Sequence, residues 1–347
     1  MPPPNPSFEV LPVNVITGFL GSGKTTLLRR VLASDGSGDT AVLINEFGEI
    51  GIDHLLVGEI APNAVLLKSG CVCCSIRGEL KDALAGLFSQ RQRGQVPAFR
   101  RVLVETTGLA DPAPIVATLL GDPVLRHHYR VGLIITTVDC VNAELHRSTQ
   151  PEWWAQVTAA DRIVLTKSDL VSQQACGLLT GELRDLNPAA TLALAQEVTE
   201  ADLFLLGHGL HDEEPSAEVK RWFERSPRHR TGVLIERLPG VQPSALPHQD
   251  LASFCVEFAN EINWTAFGLW LSLLLHRHGK DILRVKGILN LAGLPFPVAI
   301  HGVQHLVHPP VHLPAWGDAD RRSRIVFIVR GIDQQWVERS FHAFAHR

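Results

Sequence analysis

The amino-acid sequence predicts an α/β protein in which a mostly parallel sheet, covered by helices on both faces, is followed by a smaller α+β domain. Three observations support this fold. Apolar runs rich in β-branched residues alternate with helical patterns through residue 195, a glycine-rich loop joins the first run to the first helix, and the order of elements changes after residue 250. A chain of 347 residues has room for two domains, because single cores rarely grow beyond about 250–300 residues.

The elements of the first part follow from local pattern. Each predicted strand is a nearly continuous apolar run, which is typical of strands buried on both faces of a parallel sheet. The predicted strands are Val13–Thr17, Ala41–Asn45, Arg101–Glu105, Val131–Asp139, Arg162–Thr166 and Thr191–Ala195. Helical spacing predicts helices at Lys24–Leu32, Glu79–Gln90 and Ala113–Leu120.

The second part begins after the periodic pattern fades into a polar, proline-rich stretch. A helix is predicted at Trp264–His278, with Asn263 as its N-cap and Gly279 at the C′ position. Strands are predicted at Ser253–Phe258, Ile282–Leu289, Pro297–His301 and Arg324–Arg330, with a closing helix from about Asp333. The predicted organisation is a disordered leader at 1–11, a first domain at 12–225, a linker at 226–250 and a second domain at 251–347.

Composition excludes several classes of protein. The net charge of −4 gives no overall basic field, so we expect no nucleic-acid partner and no attraction to an anionic membrane. The longest apolar stretch, Trp264 to Leu275, is too short to cross a bilayer, which needs about 20 residues. The first residues lack the charged and apolar regions of a signal peptide, so a cytoplasmic location is expected. The sequence leaves a homo-oligomer open.

A phosphate-binding loop is the strongest motif. Residues Gly18 to Thr25 match G-x-x-x-x-G-K-[ST], with a strand before the loop and a helix after it. Glycines let successive backbone N–H groups face the phosphates, Lys24 would reach the β- and γ-phosphates, and the Thr25 hydroxyl would ligate Mg²⁺. The alternative is a glycine-rich turn that binds nothing.

Two further motifs lie at predicted strand ends. Thr166-Lys167-Ser168-Asp169 is similar to the N/T-K-x-D motif of GTPases, in which the aspartate accepts hydrogen bonds from guanine. Adenine would leave that carboxylate buried and unpaired, so the motif favours GTP. Glu105-Thr106-Thr107-Gly108 occupies the place of the D-x-x-G motif, whose carboxylate helps to hold Mg²⁺. The alternatives are a surface turn for the first motif and a strand cap for Glu105.

Three cysteines lie within four positions. Cys71, Cys73 and Cys74 can converge on one soft metal ion, whereas a disulfide between such close neighbours would be strained. Zinc prefers four ligands, so an outside ligand or an open position is implied. A redox pair and unliganded structural thiols are the alternatives. The remaining cysteines are scattered in the sequence and are expected to be inert, partly buried thiols: Cys140, Cys176 and Cys255.

Taken together, these motifs resemble the CobW-like family of SIMIBI-class P-loop GTPases, whose members act as metal chaperones or metallocentre-insertion factors. The resemblance covers nearly the whole chain, although a long histidine tract found in some members is absent. It implies a P-loop GTPase domain at 12–225 and a CobW-like C-terminal domain at 251–347. The segments that carry it are Ile16–Thr26, Asn45–Asp53, Gly70–Cys74, Glu105–Pro112, Thr166–Asp169, Leu283–Gly287 and Ser323–Ile328.

The resemblance also assigns Asn45–Asp53 to a nucleotide-responsive segment, which makes Glu49 our candidate for the outside metal ligand. A solvated charge is the plainer interpretation of Glu49. Asp122, His127 and His128 are weaker candidates for the same role. Four further histidines suggest a second metal cluster but are better interpreted as a loop edge or client-facing surface, since two prolines interrupt any helix there: His301, His305, His308 and His312.

The sequence therefore predicts a GTP-hydrolysing metal chaperone that binds a transition metal ion at the cysteines and delivers it to an apo-metalloprotein client. Zinc is the first candidate, with Co²⁺ and Ni²⁺ open, and GTP and Mg²⁺ are the expected cofactors. Lys24, Thr25 and Glu105 are the predicted catalytic residues. The predicted nucleotide-binding residues are Gly18, Gly21, Ser22, Gly23, Lys24, Thr25, Thr26, Gly108, Thr166, Lys167 and Asp169. The alternatives are a non-catalytic, nucleotide-gated metal sensor or store and a P-loop small-molecule kinase.

Overall fold

A computed structural model describes residues 10–33, 39–44, 65–68, 76–199, 251–316 and 320–345. Within these ranges the predicted fold class is confirmed: a parallel α/β domain precedes a smaller domain built on an antiparallel sheet. The predicted leader and the predicted linker lie largely or wholly outside the described residues, so the exact domain boundaries stay a prediction. No helix within the described ranges combines the length and apolar character needed to cross a membrane.

The first domain is organised around a seven-stranded parallel sheet with the order β3-β2-β4-β1-β5-β6-β7. Strand β1 lies in the interior of this sheet, between β4 and β5, so the loop that follows it opens at the middle of the carboxyl edge. The strands are β1 (Leu11–Gly18), β2 (Thr40–Ile44), β3 (Val65–Lys68), β4 (Arg101–Glu105), β5 (Tyr129–Asp139), β6 (Arg162–Thr166) and β7 (Thr191–Leu194).

Helices pack on both faces of this sheet because the strands are apolar on both faces. Leu28 and Val31 of the first helix belong to one apolar cluster, and Leu84, Val116 and Leu119 belong to another. The helices are α1 (Lys24–Leu32), α2 (Ile76–Gln92), α3 (Ala113–Gly121), α4 (Pro123–His128), α5 (Ala143–Thr149), α6 (Pro151–Ala159) and α7 (Gln173–Leu186), with a 3₁₀ turn at Ser168–Leu170.

The second domain packs two helices against an antiparallel sheet with the order β11-β10-β9-β13-β8, and β12 pairs with β10. Its strands are β8 (Leu251–Phe258), β9 (Ile282–Leu289), β10 (Val298–Val303), β11 (Leu306–Val307), β12 (Val311–His312) and β13 (Ser323–Arg330), and its helices are α8 (Trp264–His278) and α9 (Gln334–Ala345). Asn263 caps α8 as predicted, since its side chain accepts a hydrogen bond of 3.0 Å from Ala266 N.

Gly279 ends α8 for a different reason from the one predicted. A C′ glycine commonly adopts a left-handed conformation, but Gly279 is right-handed, with φ −62°. A side chain is excluded here by crowding, because a Cβ would lie 2.4 Å from Leu275 O and 2.8 Å from His305 Cβ. The helix end and the β10–β11 turn therefore touch closely.

The two domains meet through a buried ion cluster and an apolar seam. Asp161, which follows α6, is 7% exposed and contacts Arg284 and Lys286 of β9, which are 1% and 2% exposed. Trp153 and Trp154 of α6 share an apolar cluster with Leu251, Leu283 and Ile328 of the second domain. The two domains are therefore tightly joined at α6.

Candidate functional site

The loop between β1 and α1 has the conformation that phosphate binding needs. Gly18, Gly21 and Gly23 have φ angles of 140°, 70° and 89°, which residues with a Cβ rarely adopt. A Cβ at Gly18 would also lie 2.3 Å from Thr137 Oγ1. Thr26 is exposed on the first turn of α1, where backbone N–H groups and the helix dipole favour an anion.

Lys24 lies across the loop. It is 9% exposed, and its Nζ donates hydrogen bonds of 2.9 Å to Gly18 O and 3.2 Å to Phe19 O. Ser22 shares a 2.6 Å hydrogen bond between its hydroxyl and that of Thr137 on β5. The loop is thus held from inside by its own lysine and from the neighbouring strand by a threonine.

Thr25 and Glu105 provide paired oxygen atoms at the mouth of the loop. Thr25 Oγ1 donates a 2.6 Å hydrogen bond to Glu105 Oε1, and Glu105 is 3% exposed at the end of β4. A hydroxyl next to a carboxylate is the hard-oxygen donor set that Mg²⁺ prefers. These two residues therefore fit a magnesium ion beside a nucleotide.

Gly108 packs directly against the phosphate loop. A Cβ at this position would lie 2.5 Å from Leu20 N, so only glycine allows this approach. Thr106, two residues earlier, donates from its backbone N to Ile16 O at 2.9 Å and from its hydroxyl to Thr17 Oγ1 at 2.9 Å. The segment after β4 is thereby attached to β1 just before the glycine-rich loop begins.

The Thr166–Asp169 motif is joined to the phosphate loop by its first residue. Thr166 Oγ1 donates to Ser22 O at 2.8 Å and is also 3.2 Å from Val138 O, and a Cβ at Gly23 would lie 3.4 Å from Thr166 Cγ2. Lys167 has a left-handed backbone, with φ 54°. The motif and the loop therefore form one continuous surface.

Asp169 departs from expectation in its burial. Its carboxylate is exposed and accepts a 3.3 Å hydrogen bond from Gln196 Nε2, because the 3₁₀ turn carries it outward from the end of β6. Discrimination against adenine by a buried carboxylate would then require the base itself to cover this side chain.

Asp139 is a residue that the motif analysis missed. It ends β5, is 2% exposed, and its Oδ2 lies 2.7 Å from Lys167 Nζ, while Oδ1 accepts from Val141 N at 2.9 Å. Burial opposes its charge, yet hydrogen bonds from Lys167 and Asn142 hold the pKa of Asp139 below its usual range. A carboxylate that terminates a strand beside the phosphate-loop strand is a signal that could have identified it.

The predicted metal ligands Cys71, Cys73, Cys74 and Glu49 lie outside the described residues. Within the described ranges, no group of three or more His, Cys, Asp and Glu side chains is placed to hold a metal ion. The weaker candidates have structural contacts: Asp122 caps α4 and pairs with Lys81 at 2.7 Å, and His128 stacks on Phe88 with ring centroids 3.7 Å apart.

The histidines near residue 305 lie on strands and turns, and none continues a helix. His301 is half-buried, and its ring centroid is 6.0 Å from that of His308. Burial, together with the nearby Lys286 and Arg284, holds the pKa of His301 well below its usual range. Cys140, Cys176 and Cys255 are partly buried thiols, as expected, and burial raises the pKa of Cys140 to about 12.

Comparison with known proteins agrees with this geometry. The chain matches the CobW/HypB/UreG nucleotide-binding domain over residues 12–193 and the cobalamin synthesis protein cobW C-terminal domain over residues 251–345. It is 32% identical over 329 residues to the zinc chaperone YjiA of Escherichia coli (strain K12), which covers 95% of this chain and 97% of that protein. It is 28% identical over 348 residues to the zinc chaperone CobW of a Sinorhizobium species, covering 92% of each.

A solved structure extends the likeness to three dimensions. The crystal structure of Zn(II)-bound YjiA GTPase from E. coli superposes with a TM-score of 0.72 at 27% identity, covering 96% of this chain and 99% of that chain. Both domains are therefore present in the same order as in that protein. The chain belongs to the CobW-like family of P-loop GTPases.

Proposed function

We propose that this protein is a GTP-hydrolysing zinc chaperone, which holds the metal at Cys71, Cys73 and Cys74 and delivers it to an apo-metalloprotein client. The observation that carries the nucleotide part is the contact of Thr25 with Glu105, in a loop joined to the Thr166–Asp169 motif. The metal part is supported by the Cys-x-Cys-Cys sequence and by relatives named zinc chaperones.

Hydrolysis would rest on positioning and on neutralisation of charge. Lys24 Nζ, which now donates to Gly18 O and Phe19 O, would exchange these carbonyls for phosphate oxygens. Thr25 and Glu105 would hold Mg²⁺, which when bound neutralises developing negative charge. Thr166 would hold the guanine-binding motif against the phosphate loop through its hydrogen bond to Ser22 O. Asp169 would accept hydrogen bonds from the guanine base.

Zinc is the cargo in this proposal. The three thiols must be deprotonated to bind it, so zinc affinity falls as the pH is lowered. Glu49, in the segment that we assign to nucleotide response, would complete the shell in one nucleotide state. An incomplete protein shell suits a carrier that must release its metal. A cytoplasmic location, the absence of nucleic-acid and membrane partners, and the oligomeric state stay predictions.

The decisive experiment measures zinc affinity by calorimetry in the nucleotide-free, GDP-bound and non-hydrolysable-GTP-bound protein. Linkage requires that GTP change the zinc affinity by the same factor by which zinc changes the GTP affinity. The corresponding coupling free energy is typically about 1–3 kcal/mol. Cys73→Ser should lose this coupling and keep GTP binding, whereas Cys255→Ser, on β8 of the second domain, is the matched control. Equal zinc affinities in all three states would contradict the proposal.

Product analysis separates the proposal from its alternatives. A chaperone releases free phosphate from GTP and passes zinc to proteins captured by the GTP-loaded form. A small-molecule kinase would transfer the phosphate to an acceptor. A sensor or store would release negligible phosphate even with zinc and client present.

A further inference from the structure

Beyond the attachment of Thr106 to β1, the Gly108–Asp111 part of the loop that follows β4 has three contacts that concern us, and one of these faces the phosphate loop. Gly108 packs on Leu20, where a Cβ would lie 2.5 Å from Leu20 N. A shift of this part of the phosphate loop toward Gly108 on nucleotide exchange must therefore displace Gly108. The other two attachments come from the side chains of Gln156 and Gln304, which lie outside the sequence motifs described above.

Gln156 of α6 holds the loop from behind. It is fully buried, and its Nε2 donates to Gly108 O at 3.1 Å and to Ala110 O at 3.0 Å. Its Oε1 has no hydrogen-bond partner among the described residues. The amide therefore depends on these two carbonyls, and a loop movement that removes them would leave a buried polar group unsatisfied.

Gln304 of the second domain holds the end of the loop. Its Nε2 donates to Asp111 Oδ2 at 3.1 Å, while Asp111 Oδ1 accepts from Ala113 N at 2.8 Å at the start of α3. Gln304 has φ 52° in the two-residue turn between β10 and β11. A left-handed backbone conformation is uncommon and unfavourable for glutamine. The turn nevertheless places Gln304 in this conformation, and from there its side chain reaches the other domain.

Both glutamines belong to elements at the contact between the two domains. Helix α6, which carries Gln156, packs on β9 through its tryptophans and ends beside Asp161, the partner of Arg284 and Lys286. Val303 and Leu306, which flank Gln304 and His305, pack into the apolar cluster of the first domain. A displaced Gly108–Asp111 segment must either break its hydrogen bonds to Gln156 and Gln304 or carry α6 and the β10–β11 hairpin with it.

We propose that Gln156 and Gln304 are positioning residues that couple the Gly108–Asp111 loop to the second domain, so that the nucleotide state sets the position of the β10–β11 hairpin. The inference rests on the nucleotide binding in the proposed function but needs no metal transfer. By linkage, a partner that holds the hairpin would change the affinity for GTP relative to GDP by the same factor.

Amide hydrogen exchange of the full-length protein tests this coupling directly. In the unmodified protein, exchange of residues 298–307 should differ at least about fivefold between the GDP-bound and non-hydrolysable-GTP-bound states, the lower end of typical coupling. Gln304→Glu places a carboxylate against Asp111, so in this variant the exchange rates of the hairpin in the two nucleotide states should agree within about twofold. The same result is expected for Gln156→Ala. Gln174→Ala, exposed on α7, is the control that keeps it.

A paired substitution separates a specific contact from simple damage. Asp111→Asn combined with Gln304→Glu reverses donor and acceptor and should restore the nucleotide-dependent difference, because Asn still accepts from Ala113 N. In the single Gln304→Glu variant, kcat for GTP should change while KM stays within about twofold, since Gln304 does not contact the nucleotide loop. Thermal unfolding confirms that each variant is folded.

Two results would overturn the inference. One is equal hairpin exchange in the two nucleotide states of the unmodified protein, and the other is a paired variant that behaves like the single one. The failure of the proposed function is a separate outcome: if exchange depends on nucleotide but no phosphate is released, the coupling stands and the hydrolysis proposal fails.

Discussion

Replacing Asp161 by asparagine should destabilise the contact between the two domains more than neutralising an exposed charge would. Asp161 Oδ1 lies 2.6 Å from Lys286 Nζ and also accepts from Arg284, and the three residues are at most 7% exposed. Asparagine keeps the shape and an acceptor for Ile134 N, now 3.0 Å from Asp161 Oδ2, but it removes the negative charge that Arg284 and Lys286 contact in the buried cluster. Breaking such a pair costs about 3–5 kcal/mol of the free energy of unfolding.

The pH dependence of this effect has a definite sign. The two cations hold the pKa of Asp161 well below its ordinary value, although burial opposes this, so its charge stabilises the folded state at pH values above about 4. As the pH falls through the folded pKa, that contribution is lost. The difference in stability between the unmodified protein and Asp161→Asn should therefore shrink between about pH 5 and pH 2.

Urea unfolding followed by tryptophan fluorescence and by far-UV circular dichroism measures the change, since Trp153 and Trp154 lie at this joint. Separate transitions in the two signals would show that the domains unfold independently. The matched control is Glu182→Gln, whose carboxylate pairs with Arg147 at 2.6 Å but is 52% exposed. It should cost less than about 1 kcal/mol. Equal midpoints for Asp161→Asn and the unmodified protein, or an equal loss in the control, would refute the reasoning.

Three further substitutions test the nucleotide site. Asp169→Ala should weaken GTP binding by about 1.5–3 kcal/mol and leave ATP binding nearly unchanged, because it removes a charged acceptor for guanine. Calorimetry with both nucleotides measures this difference. Tighter binding of ATP than of GTP by the unmodified protein would contradict the assignment of Asp169. Lys24→Ala should abolish phosphate release while the far-UV spectrum is kept, and retained turnover would count against the mechanism. Asp139→Asn should lower GTP affinity by about 1 kcal/mol, measured by titration, because Lys167 loses its charged partner.

Local pattern predicted most of the first domain because its strands are strongly apolar and its phosphate loop is a local motif. Strand β3, Val65–Lys68, was missed, since three apolar residues followed by a lysine carry no period and become a strand only by pairing with β2. Strand β5 begins at Tyr129 rather than Val131 because Tyr129 and Arg130 pair with Leu11 and Pro12. Helix α7 and the helices α4 to α6 were also missed.

The residues of the candidate site also differ in how far local sequence could predict them. The glycines, Lys24, Thr25 and Glu105 were predicted because their spacing along the chain is fixed by the chemistry of phosphate and Mg²⁺. Gln156 and Gln304 could not be found from the sequence, since each acquires its role only from a partner that is distant in the chain, whereas the sequence marks Asp139 only by its place at a strand end. The exposure of Asp169 likewise depends on the direction of a 3₁₀ turn, which four motif residues do not specify.

The interior position of β1 has a consequence for how this protein is made. Val13 pairs with Val102 on one side and with Val131 on the other, so the strand that carries the phosphate loop completes its pairing only after β4 and β5 exist. At roughly 5–20 residues per second, the loop waits on the order of 10 s during synthesis before Thr137 can hold Ser22. Parallel pairings between distant segments also form slowly. Nucleotide binding cannot assist folding until that late stage, and the nascent chain exposes the apolar β1 in the meantime.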